Sequence, residues 1–154
     1  MNDNFMLNPL ELQKQQTLLQ IRECNDYSKR FGLTLSDAEI MCLMDYRIST
    51  LKGLGRVEFT NDVIKKLIFE FCDSAYIQAD NYLETLQDLL EIFYYFKNES
   101  LEELSDDELI QVMKQYFETE CEGSVEYLQE TILEDISRNV RYGNGIRRDY
   151  GDDD

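Results

Sequence analysis

Apolar residues recur along the chain every three to four positions in six separate blocks, the period of helices that each bury one face. Pro9 follows Asn8 as a first-turn proline follows an N-cap, so a helix opens there. It runs to about Ser28 on a sparse stripe of Leu10, Leu18, Ile21 and Cys24, with Gly32 as its stop. Ser36-Asp37-Ala38-Glu39 is a capping box, in which the serine hydroxyl and the glutamate carboxylate satisfy amides at a helix start. Ile40, Leu43, Met44, Ile48 and Leu51 follow at helical spacing, and Gly53 and Gly55 end this second helix. Arg56-Val57-Glu58-Phe59 alternates polar and apolar but is too short for a sheet, and is read as a connector.

Thr60 is the expected cap of a third helix, whose face is Ile64, Leu67, Ile68 and Phe71. The fourth starts at Asp80 or Asn81 and carries Leu83, Leu86, Leu89, Leu90, Phe93 and Phe96. Its last turns, Ile92-Phe93-Tyr94-Tyr95-Phe96, are apolar or aromatic all round, which places it centrally. Ser105-Asp106-Asp107-Glu108 is a second capping box, opening a fifth helix with Leu109, Ile110, Val112, Met113, Tyr116 and Phe117. A sixth, from about Ser124 to Gly143, turns Val125, Leu128, Ile132, Ile136 and Val140 inward. With no internal repeat and no long heptad pattern, the expectation is an all-α fold: one compact bundle of about six helices with short connectors over residues 8–143. Residues 1–7 are an N-terminal tail, and residues 144–154, too poor in apolar groups to offset ordering entropy, a disordered C-terminal one.

Charge narrows the function. Thirty-two Asp and Glu against fifteen Lys and Arg leave −17, a field that repels phosphate backbones and disfavours nucleic acid as a partner. The load is uneven: from Asn98 to Asp135 thirteen acidic residues stand against the single Lys114. The absence of histidine removes His-based acid–base catalysis, His-activated nucleophiles and His-ligated metals. Cys24, Cys42, Cys72 and Cys121 are spread singly, which fits neither a zinc site nor a disulfide scaffold and suggests free thiols in the cytoplasm. No stretch approaches the ~18 apolar residues of a membrane span, and the start carries no leader pattern.

Glu126, Glu130 and Glu134 are spaced to share one helix ridge, and with Glu118 and Glu122 they form a candidate acidic face, either a solvated surface or a dock for a basic protein patch. Glu84, Asp88 and Glu91 line one side of the fourth helix, but without a Glu-x-x-His partner they do not make a dinuclear metal site. No calcium loop is present, so neither metal nor cofactor is expected. Lys52-Gly53-Leu54-Gly55-Arg56 resembles an anion-holding nest but lacks the flanking strand and helix, and helix termination explains its glycines. Arg47 lies between Leu43 and Leu51 near an apolar stripe, where a guanidinium needs a carboxylate or several carbonyls; a structural ion pair is the expectation. Arg47, Arg56, Tyr82 and Tyr95 are the candidates for a ligand pocket, and the ten tyrosines suit both a core rim and an interface.

Several runs, Cys24-Asn25-Asp26-Tyr27, Lys29-Arg30-Phe31-Gly32-Leu33, Gly55-Arg56-Val57-Glu58-Phe59, Phe71-Cys72-Asp73-Ser74, Phe93-Tyr94-Tyr95-Phe96-Lys97-Asn98-Glu99 and Leu104-Ser105-Asp106-Asp107-Glu108-Leu109, together resemble an uncharacterised bacterial family of small all-helical proteins of unknown function. The resemblance spans about Leu10 to Arg141 and implies the fold, with no activity or catalytic residue to carry over. The function expected from the residues is a non-enzymatic acidic module that docks a basic partner surface or a second copy of itself. The alternative is a small-ligand binder, or an enzyme, with a pocket near Arg47 and Arg56.

Overall fold

Capping chemistry sets most of the helix boundaries in the computed structural model, which describes residues 8–99 and 103–141. Helix α1 (Pro9–Glu23) opens where Asn8 accepts the Glu11 amide at 2.8 Å. It breaks at Cys24 and continues as the single turn α2 (Asn25–Ser28) and a 3₁₀ turn, Lys29–Phe31, which Gly32 ends at φ +79°. The expected unbroken first helix is therefore kinked. Helix α3 (Asp37–Leu54) starts with the complete Ser36/Glu39 box and ends on left-handed Gly55; Gly53 lies within its last turn. Helix α4 (Asp62–Phe71) is capped at Asn61 rather than Thr60, whose hydroxyl reaches the Asp62 amide only at 3.4 Å. Helices α5 (Tyr82–Glu99) and α6 (Asp106–Glu118) follow, the latter with the expected Ser105/Glu108 box.

The last expected helix is divided. Ser124 caps the turn α7 (Val125–Tyr127), a π-helical segment covers Leu128–Leu133, and α8 (Glu134–Arg141) completes it. A π turn takes i→i+5 hydrogen bonds. Accordingly Leu128, Leu133 and Ile136 are buried, a spacing of five and then three, where an α period selects Leu128, Ile132 and Ile136. The side chains of Ile132 and Val140, together with Gly143 and both tails, lie outside the described residues.

Helix α5 is the central element, packed on α3, α4 and α7, while α1 lies on α3 and α6 lies on α4 and the π segment. Phe93, Tyr94 and Phe96 are fully enclosed, as the all-round apolar end of α5 requires. Two devices fix the arrangement. Arg22 donates to both carboxylate oxygens of Asp37 at 2.9 and 2.7 Å, clamping α1 to the start of α3. Gly123, at φ +83°, lies so close to Tyr76 that a Cβ there would sit 2.5 Å from the ring, so only glycine fits between α6 and α7.

Candidate functional site

Three pieces of chain enclose a cleft of about 440 Å³: the N-terminal half of α1, the middle of α3, and the connector from Glu58 to Asn61. The phase of α3 determines its floor. Ile40, Leu43, Met44 and Leu51 are buried as expected, but Arg47 takes the inward place between them at 6% exposure, and Ile48 is left 53% exposed on the cleft wall. Leu10 of α1, expected on the buried stripe, and Phe59 of the connector are also on the wall, 77% and 85% exposed. Asn61 reaches Thr17 at 3.5 Å across the inner end, and Lys14 pairs with Asp45 at 3.8 Å on the outer side.

Arg47 is not the ion pair expected from the sequence. Its Nη2 donates to the carbonyl oxygens of Glu58 and Thr60, at 3.0 and 2.5 Å, and so ties the connector to α3. Its Nε is enclosed without an acceptor, as is the hydroxyl of Tyr94. Burial pushes the Tyr94 hydroxyl up from its ordinary acidity and the neighbouring Arg47 guanidinium pulls the other way. The carboxylate closest in role, Glu58, is already engaged by Arg56 at 3.1 Å.

Of the other pocket candidates, one adjoins the cleft and two lie elsewhere. Arg56 flanks the cleft through its bond to Glu58. Tyr82 is buried with its hydroxyl beside Ser28, Cys24 and Cys72, pushed up to about 12 chiefly by burial. Tyr95 lines a separate cavity of about 320 Å³ with Tyr46, Glu91 and Gln129. There the Tyr46 hydroxyl donates to Glu91 at 2.5 Å, and that bond holds it near 12. The four residues therefore do not converge. Leu10, Thr17, Phe59 and Asn61 were missed as cleft residues. The available signal was one of phase: Arg47 and Ile48 compete for one inward place, and only one can be buried.

The acidic candidates are on the surface, but not on one straight ridge. Glu126 and Glu130 are exposed and Glu134 is half-buried, and the π turn between them breaks the α spacing that would align them. Glu122 is exposed at φ +47°, and Glu118 is half-buried with one oxygen enclosed and unpartnered. Glu126 instead approaches the carboxylates of α5. Asp88 titrates above the ordinary carboxylate range, through burial first and then through Glu84, Glu91 and Glu126.

Among its described lining residues the cleft holds no cysteine or serine. Among the described residues no three Cys, Asp or Glu side chains are placed to hold a metal ion. Burial pushes the Cys24, Cys72 and Cys121 thiols up, Cys121 to about 11, which suppresses the thiolate. Cys42 is exposed, with Gln87 Nε2 at 3.6 Å from its sulfur. No helix of the described residues is long and apolar enough to cross a membrane. No curated protein and no solved structure matches the sequence. One family model does, over residues 20–145, a span that contains Arg47, Glu58 and Phe59, and the chain accordingly belongs to that family, described as a family of unknown function (DUF6323).

Proposed function

We propose that this chain is a non-catalytic binding protein whose site is the cleft over Arg47. The observation that carries the reading is a guanidinium buried to 6% exposure with no carboxylate partner among the described residues. Burying an uncompensated charge costs several kcal/mol, and two carbonyls offset only part of it. The volume of about 440 Å³ falls in the range of small-molecule sites, about 300–1,000 Å³. Charge is compatible with it: residues 8–61, which supply the cleft lining, hold seven acidic and seven basic side chains. The four unpaired cysteines support a cytoplasmic setting.

A second reading, docking of a basic partner on an acidic surface, is favoured by the mutual approach of Glu84, Asp88 and Glu91 of α5 and Glu126 of α7, a repulsion that a cationic partner would relieve. One experiment separates the two. Amide spectra of the protein are recorded with a set of neutral and anionic small molecules and, separately, with an oligolysine peptide. The cleft reading expects small-molecule shifts confined to Thr17, Met44, Arg47, Phe59 and Asn61. Shifts by the peptide alone, around Asp88 and Glu126, would replace it with the docking reading.

A further inference from the structure

Donor geometry and wall chemistry together restrict what the cleft can hold. Both hydrogen bonds of Arg47 leave from Nη2, so that nitrogen is fully used; Nε is enclosed, with the Tyr94 hydroxyl beside the guanidinium, which leaves Nη1 as the nitrogen for a ligand. The remaining capacity of the guanidinium suits one anionic oxygen rather than a fork of two, because the Nη2 side of the planar group is already committed to Glu58 and Thr60. Other charges at the cleft argue against a dianion. Lys14 is exposed and shared with Asp45, and the half-buried Glu58 carboxylate, held by Arg56, is also part of the lining. A phosphate monoester would meet one buried cation and one carboxylate; a monoanion is matched by Arg47 alone. Of the rest of the wall, Gln13, Thr17 and Asn61 are polar and Leu10, Met44, Ile48 and Phe59 apolar, with Phe59 and Leu10 largely presented to an incoming group. Exposed apolar side chains around a buried arginine offer a body-and-head arrangement, in which contact area comes from the wall and orientation from the charge.

We infer that the cleft takes a small monocarboxylate with an apolar body, its carboxylate received by Arg47 and its body lying against Leu10, Ile48 and Phe59. The inference rests on the binding reading above and adds the ligand class. Its carboxylate answers a cation that no side chain of the described residues neutralises, and its body covers wall residues that the fold leaves in water.

The test uses octanoate, its neutral counterpart octan-1-ol, and butyrate, which keeps the charge and shortens the body. Each is titrated into the full chain and into the variants Arg47→Gln and Phe59→Ala, with amide shifts locating the site and giving affinity. Octanoate is expected to shift the cleft residues and to bind roughly tenfold or more tighter than octan-1-ol, the size of effect a charge-assisted hydrogen bond provides. Arg47→Gln is expected to abolish that preference. Because Arg47 also tethers the connector, Phe59→Ala supplies an independent arm: its side chain is 85% exposed, so the fold is expected to be kept, and the variant is expected to weaken octanoate by a larger factor than the short-bodied butyrate. Octanoate and octan-1-ol binding equally in the cleft would overturn the carboxylate class and leave the binding reading standing. No shift at the cleft with octanoate would overturn the inference, and neutral hits from the broader set would then show whether the binding reading survives.

Discussion

Single residues show where this fold bears unfavourable energy. Arg47 is the largest instance, a buried charge satisfied by carbonyls on one nitrogen only. Asp88 is the second, and its effect on stability has a definite sign. Its folded-state titration lies above the unfolded carboxylate value of 3.8, first through burial and then through three neighbouring carboxylates. The native state therefore holds the proton more tightly than the unfolded chain does. The favourable contribution is complete below the unfolded value and is lost as pH rises through the raised folded value, so at neutral pH ionised Asp88 weakens the fold. Asp88→Asn should raise the melting temperature at pH 7, with a gain that shrinks as the pH approaches 3.8. Equal gains at both pH values, or a loss at pH 7, would show that the carboxylate is not under this repulsion.

At the scale of elements, boundaries backed by complete local chemistry were legible in the sequence. Both Ser-x-x-Glu boxes are formed, Asn8 caps α1, and Gly32 and Gly55 are left-handed stops. Each such feature is satisfied within four residues of itself, so no tertiary information is needed to see it. The misplacements share the opposite character. The kink at Cys24 goes with packing on both sides, α1 on α3 and α2 on α4, and the π turn at Leu128–Leu133 resets which residues face α6. Neither leaves a mark in a fixed 3.6-residue period. Arg47 was a pocket candidate, but the lining around it escaped in the same way: Arg47 and Ile48 occupy adjacent positions, and burial of the charged one depends on carbonyls eleven and thirteen residues away. Another long-range tether makes a direct prediction. Lys97, near the end of α5, is buried, donates to the Leu104 carbonyl and pairs with Asp106 at 3.2 Å, fastening α5 to the start of α6. Lys97→Ala should destabilise the protein by about 2–4 kcal/mol in a denaturant titration, since it strands a carbonyl and a partly buried carboxylate. A cost below about 0.5 kcal/mol, typical of an exposed pair, would contradict the tether.

Across the whole molecule, charge is spread unevenly along the chain. The acidic load lies from Asn98 to Asp135, while the cleft is built from a charge-balanced N-terminal third and is rimmed by exposed Leu10, Ile48 and Phe59. The net charge favours solubility, and at physiological ionic strength its field is screened over about 8 Å. The chemistry of Arg47 can be read directly. The measurement that does so follows the side-chain nitrogen–proton signals of Arg47 in labelled protein as octanoate is added. These signals are expected to move saturably, with the backbone amides of the cleft, and octan-1-ol is expected not to move them. Arg47 signals unchanged at saturating octanoate, with shifts elsewhere or none at all, would show that the guanidinium is only a structural tether for the Glu58–Asn61 connector.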